Sequence, residues 1–336
     1  MERDEIIIRN AIMHILDTSI GMPVLSDSFL ELGPDLNEFL RGHIYKVASS
    51  DELKSCVFDE GVSEFHQLIQ DFNEDNLIPI SKDIATKLYQ IMLEHIDIRS
   101  ADLCIVTYQY QSVIHLAVLK MNYKDCYVHM TRQEDGLGNN NDIIKHSAAL
   151  PASSSKLSEA VLINLSDYSV QIVERKYDIN GQKINYLSEL FLQCHAKMSS
   201  KTKFNLVKKA VDEINKKYYE GDLNKQMEAK SVIHNEYQEQ GLIQPETIGD
   251  KLFGEIPEIK EEFSEKLSKY NLHTEEVRPQ NQTTIKRFEK QYLMTDTGIE
   301  INIPMEEYDN DHIEFITNPD GTISVLIKNI NQIVSK

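Results

Sequence analysis

Six lysines fall within one short stretch of the sequence, SSKTKFNLVKKAVDEINKKYY (199–219), although the whole chain has a formal net charge of -19. Lysine ammonium groups attract phosphates, and along DNA they replace condensed counterions, which gives affinity without readout of the bases. An ordinary solvated helix face is the alternative interpretation of the same residues. The candidate DNA-binding residues of this stretch are Lys201, Lys203, Lys208, Lys209, Lys216 and Lys217.

The local balance of charge decides how much of this lysine surface is neutralised within its own helix. Residues 195–230 contain nine lysines and five acids. Asp212 and Glu213 are spaced to form ion pairs with lysines four positions away on either side, each worth about 0.2–0.5 kcal/mol. Two acids cannot neutralise four lysines, so a local surplus of positive charge is expected to remain.

A second basic segment, TIKRFEKQY (284–292), places Lys286, Arg287 and Lys290 around Phe288. Basic residues beside an aromatic ring can follow a phosphate backbone. Such charges also commonly protect the edge of a β-strand. The three basic residues are therefore further DNA-binding candidates, ranked below the first stretch.

Patterns that would indicate catalysis or metal binding are weak. The four cysteines are far apart in sequence, which fits a reducing cytoplasm better than a disulfide or zinc framework, and no HExxH motif occurs among the eleven histidines. Cys194 and His195 are adjacent, but neighbouring residues on a helix point about 100° apart, which suits a nucleophile–base pair poorly. We therefore expect no enzymatic activity, no cofactor and no metal site.

A helix-turn-helix motif is also considered and rejected. Residues 245–253 and 257–270 could form two short helices around Gly254. The second of these, PEIKEEFSEKLSKY, contains four glutamates and three lysines. An acidic helix is unsuited to enter the negatively charged groove of DNA.

The lysine stretch itself has the pattern of an amphipathic helix. Its apolar residues recur at spacings of three and four, which forms one stripe that must pack against neighbours. Ser199 or Ser200 is expected to cap the start of this helix. The residues predicted to face inward are Phe204, Val207, Val211, Ile214 and Tyr218.

The elements around this helix predict an α+β fold in two domains. Residues 1–182 are expected to form an N-terminal domain of helices and antiparallel strands, with a central hairpin at 102–120 that is rich in β-branched and aromatic residues. The polar interval 124–156 is expected to be an exposed loop. Residues 183–336 are expected to form a second domain, helical over 186–270 and then built from strands and a β-hairpin over 284–330. No apolar stretch approaches the roughly 20 residues that span a bilayer, so no membrane partner is expected.

Three segments, taken in order, resemble the bacterial nucleoid-associated protein family of NdpA type. DLCIVTYQYQSVIHLAVLK (102–120) resembles the central hairpin of that family. The helix that begins at Ser199 is similar to the family's basic helix, and ITNPDGTISVLIKNI (316–330) resembles its terminal hairpin. The resemblance implies a cytoplasmic, non-enzymatic protein of the nucleoid, and it supplies no motif-defined DNA contacts.

Charge and resemblance together predict a protein that binds double-stranded DNA through local lysines with little sequence specificity. The alternative hypothesis is a protein-interaction adaptor that reaches the nucleoid by binding a DNA-acting enzyme. In that case another nucleoid protein would be the partner and the acidic surface would face it. A homo-oligomer is compatible with either hypothesis.

Overall fold

The fold is seen in a computed structural model. The described residues are those of the ranges 1–59, 61–134, 138–179, 181–220, 222–279, 286, 288–308 and 312–333. They form two compact units, Met1–Met198 and Ser199–Lys336. The predicted domain boundary, between residues 182 and 183, falls inside the strand Gln182–Ile184 and so precedes this division.

The first unit contains three α-helices and eleven β-strands within its described residues. The helices are α1 (Pro34–Ala48), α2 (Glu64–Gln70) and α3 (Leu77–Glu94). The strands are β1 (Ile7–Leu16), β2 (Lys54–Phe58), β3 (Ala101–Tyr110), β4 (Val113–Asn122), β5 (Lys124–Glu134), β6 (Gly138–Ala149), β7 (Ala160–Asn164), β8 (Val170–Val173), β9 (Tyr177–Ile179), β10 (Gln182–Ile184) and β11 (Cys194–Ala196).

Seven of these strands form one antiparallel sheet in the order β1-β3-β4-β7-β8-β2-β11. The expected hairpin at 102–120 is its centre, because β3 and β4 pair along their whole length from Ala101–Asn122 to Tyr110–Val113. One face of the sheet packs against α1 and the other against α3. Both faces are therefore covered, which explains why β3 has four consecutive apolar residues, from Leu103 to Val106, rather than apolar residues in alternate positions only.

Strands β5 and β6 form a two-stranded ribbon that lies outside the seven-stranded sheet. The expectation of a loop over 124–156 is therefore wrong for Lys124–Glu134 and Gly138–Ala149. Most residues of the ribbon are exposed on both of its faces, with Val128 opposite Ile144 and Tyr127 opposite Lys145. A strand without a buried face needs no alternation of apolar and polar residues, so the usual strand pattern is absent.

Among its described residues, the second unit has four α-helices, two β-hairpins and an apolar core of its own. The helices are α4 (Ser200–Tyr218), α5 (Leu223–Gln240), α6 (Pro245–Phe253) and α7 (Pro257–Ser268), and the strands are β12 (Lys290–Met294), β13 (Glu300–Pro304), β14 (Ile313–Thr317) and β15 (Ile323–Ile327). Met227 of α5 packs with Phe315 of β14 and with Met305 of the 3-10 turn Met305–Glu307 that follows β13. The mixed content of the two units confirms the predicted α+β class.

The first part of the region predicted to be helical, 186–270, is not α-helical. Residues Leu187–Leu192 form a π-helical turn, and β11 then pairs with β2 in the sheet of the first unit. The three-residue strand is too short to produce a pattern that distinguishes it from a helix. Among the described residues, no helix is long and apolar enough to cross a membrane.

Candidate nucleic-acid interface

Helix α4 forms where its sequence predicts it. The Ser199 hydroxyl accepts a hydrogen bond from the Thr202 amide at 3.2 Å and caps the first turn. Phe204, Val207, Val211 and Ile214 are buried as expected. Tyr218 is not: its side chain is 40% exposed, because in the last turn its hydroxyl reaches outward and donates to Glu262 of α7 at 2.6 Å.

Three of the candidate lysines on α4 are neutralised by carboxylates. Lys203 pairs with Glu275, Lys217 pairs with Glu262 at 2.6 Å, and Lys209 lies 3.7 Å from Glu213. The hydrogen bond from Lys217 to Glu262 raises the pKa of that lysine. These side chains therefore present little free positive charge to a ligand.

The pairing within α4 differs from the expected set of four ion pairs. Only the pair of Lys209 with Glu213 forms as predicted, and Lys217 turns instead to α7. Glu213 also accepts from Lys266 of α7 at 2.8 Å, and this hydrogen bond is the main cause of its lowered pKa. Carboxylates on a neighbouring helix thus compete for the lysines of α4. The spacing of residues within α4 cannot predict these partners.

Lys208 has a different environment from these paired lysines. Its Nζ lies 5.9 Å from the centroid of the Phe288 ring, a cation–π arrangement. Phe288 is nearly buried and meets the Phe204 ring edge-on, with centroids 5.1 Å apart. The two basic stretches that are separate in sequence therefore meet in the second unit at this aromatic ring.

Lys230 of α5 approaches the same ring, with its Nζ 5.7 Å from the centroid. It donates to the Lys290 carbonyl at 3.3 Å and to Gln291 Oε1 at 2.6 Å. Burial, and then the charge of Lys208, lowers the pKa of Lys230. Sequence reasoning missed this residue, although the positions three and four away on its helix (Gln226, Met227, Ile233 and His234) are all uncharged.

We call Lys208, Lys230, Lys286 and Lys290, together with Phe288, the Phe288 cluster. Lys286 and Lys290 are exposed and lie two residues before and after the ring. Within the described part of the chain, no carboxylate lies at ion-pair distance from any of these four lysines. Lys201 and Lys216 are exposed on α4, and Arg287 lies outside the described residues.

Helices α6 and α7 occupy the positions considered for a helix-turn-helix. Gly249 of α6 lies against the Phe263 ring of α7, where an added Cβ would come within 3.0 Å of a ring carbon. The exposed face of α7 carries Glu258, Glu261 and Glu265. This acidic face is unsuited to contact DNA and agrees with the rejection of α7 as a recognition helix.

A comparison with protein-family models assigns the chain to the class of nucleoid-associated proteins. The model described as "Nucleoid-associated protein YejK" matches residues 12–334. The chain belongs to this family, which confirms the resemblance seen in the sequence. A search of curated proteins finds no match.

Membership places the protein in the bacterial cytoplasm, at the nucleoid. A nucleoid-associated family also suggests a protein without catalytic activity. Across the described ranges, no group of three His, Cys, Asp or Glu side chains is arranged to hold a metal ion. The Phe288 cluster is the feature of the second unit that we consider for function.

Proposed function

We propose that the protein binds double-stranded DNA with little sequence specificity through the Phe288 cluster. Lys201 and Lys216 of α4 and Arg287 provide further contacts. The supporting observation is the convergence of Lys208 and Lys230, from two different helices, on one aromatic ring, with no carboxylate of the described chain at ion-pair distance from either lysine. Two ammonium groups held close together repel each other, and a phosphate bound between them removes that repulsion.

The chemistry of the cluster favours backbone contacts over base readout. Lysine is a flexible point charge that binds phosphate without a fixed geometry, whereas readout of bases relies on bidentate side chains. The lysines release counterions from the phosphates as they bind, and this release supplies the affinity. An acidic chain can use such a surface because exposed charges beyond about 8 Å are largely screened at physiological salt.

Titration of the protein with unrelated duplexes at 50 and 200 mM salt tests the proposal. If about four phosphates are contacted, the log–log slope should be near -3.6, which corresponds to roughly a hundredfold loss of affinity over this range. Affinities on different sequences should agree closely. A flat salt response, or no binding at 50 mM, would contradict DNA binding.

A pair of matched triple variants tests the assignment of residues. Lys208→Gln, Lys230→Gln and Lys290→Gln together remove three charges of the Phe288 cluster, so affinity should fall on all sequences and the salt slope should flatten. Lys203→Gln, Lys209→Gln and Lys217→Gln together remove three lysines that already have acidic partners, and affinity should change little. A larger loss in the second variant would show that the interface lies elsewhere on α4.

The adaptor hypothesis remains the second candidate because of the acidic face of α7. Glu258, Glu261 and Glu265 are exposed beside Lys266 and Lys269, and they would attract a basic protein rather than DNA. Under this hypothesis, Glu→Gln changes at the three positions would abolish association with the nucleoid. The Phe288 cluster variant would leave that association unchanged.

A further inference from the structure

The hairpin of β14 and β15 has two edges with different environments. On the outer edge of β14, the side-chain amide of Asn224 donates to the Phe315 carbonyl at 2.8 Å and accepts from the Phe315 amide at 3.1 Å. That edge is closed by a side chain of α5. Within the described residues, β15 pairs with β14 alone, so its other edge is open.

The register of the hairpin shows which backbone groups of β15 point outward. Phe315 lies opposite Val325 and directs its own amide and carbonyl away from β15, towards Asn224. In an antiparallel ladder, the opposite residue of such a pair also directs its groups away. Val325, and by alternation Ile323 and Ile327, therefore present their amides and carbonyls on the open edge. No described residue forms a hydrogen bond with these groups.

The side chains of β15 make this edge apolar. Ile323 is 59% exposed, Ile327 is 53% exposed and Leu326 is 45% exposed. The strand ISVLI contains no charged residue and no proline, the two usual devices that prevent an edge strand from pairing. The strand β15 thus carries no charged side chain, although the whole chain has a formal net charge of -19.

We propose that β15 pairs with β15 of a second copy of this chain, antiparallel and centred on Val325. A two-fold axis perpendicular to the sheet places Val325 opposite itself and Ile323 opposite Ile327 of the second copy. All three outward residues of each strand then exchange hydrogen bonds, and the exposed isoleucines cover each other on one face. The strand is self-complementary in this register because isoleucine occupies both of its ends.

The small size of this contact sets its expected strength. A standard interface buries about 800 Å² on each partner, which is more than a five-residue strand provides. We therefore expect a weak dimer, with a dissociation constant in the micromolar range. The two acidic chains repel each other, so added salt should strengthen the dimer by screening. Added salt should instead weaken the binding of DNA.

Sedimentation velocity of the full chain from 1 to 100 µM, at 50 and 300 mM salt, measures this association. The first variant carries Ile323→Lys and Ile327→Lys, which in the proposed register place a lysine opposite a lysine of the second copy at both ends. The second variant carries Ile323→Lys and Ile327→Glu, which place opposite charges there instead. We expect the first variant to dimerise at least tenfold more weakly than the parent and the second to stay within about threefold of it.

Thermal unfolding of both variants checks that the exposed substitutions leave the fold intact. A parent chain that stays monomeric at 100 µM would overturn the proposal, and would leave the open edge to a strand of another protein. Equal dimerisation of parent and first variant would also overturn it. If the second variant dimerises as weakly as the first, residues 323 and 327 of the two copies do not face each other, and the register centred on Val325 is wrong. None of these outcomes depends on DNA binding, which is measured separately.

Discussion

His14 is a buried histidine whose hydrogen bonds define its protonation. Its Nδ1 accepts from the Ser26 amide at 3.0 Å, and its Nε2 lies 3.0 Å from Ser81 Oγ. The Ser81 hydroxyl donates to the Ile78 carbonyl at 2.7 Å, so the imidazole donates to Ser81 through Nε2 in its neutral form. Burial, with a smaller effect of the Lys82 charge, lowers the pKa of His14 to about 4.

This lowered pKa predicts a loss of stability in mild acid. An unfolded histidine takes up its proton near pH 6.5, whereas folded His14 resists protonation until about pH 4. The unfolded state therefore binds more protons between these values, and the free energy of unfolding should fall by up to about 3 kcal/mol as the pH drops through this window. Urea unfolding from pH 7.5 to 4.5 measures the effect.

The variant His14→Gln provides the control for this pH dependence. It should be less stable at neutral pH but show a shallower decline in acid. A smaller decline should remain, because the pKa values of His43 and His115 are also lowered, mainly by burial. An unchanged pH slope in the variant would show that His14 is not the group responsible.

At the scale of elements, helix α4 allows a direct test of its buried stripe. Val211 is only 1% exposed, so Val211→Asp places an unpaired charge in an apolar site and should lower the free energy of unfolding by several kcal/mol. Asn205→Asp introduces the same charge at an exposed position of the same helix and should change stability by less than about 0.5 kcal/mol. Equal melting temperatures of the two variants would contradict burial of the stripe.

The elements also show where sequence reasoning succeeds and where it does not. The α4 stripe and the β3–β4 hairpin are predictable because each has one periodic pattern imposed by burial. The β5–β6 ribbon is not, because neither of its faces is buried. The Phe288 cluster is predictable only in part: the lysines are visible in the sequence, but the approach of Lys230 to Phe288 depends on how α5 packs.

At the scale of the whole molecule, the candidate DNA-binding residues all lie in the second unit, which has its own apolar core. A fragment of residues 199–336 should therefore fold and bind duplex DNA within about threefold of the full chain. A fragment of residues 1–198 should fold but not bind. Circular dichroism and duplex titration check both expectations. DNA binding by the fragment of residues 1–198, without binding by the fragment of residues 199–336, would refute the assignment.

The order of strands in the first unit has a consequence for how the protein is made. Strand β2 leaves the ribosome early, yet its partners β8 and β11 follow it by more than a hundred residues. At about 5–20 residues per second, translation needs on the order of ten seconds to supply them. During that interval the apolar residues Cys56 and Phe58 have no sheet to join. Completion of this half of the sheet must therefore wait until almost the entire first unit has been synthesised.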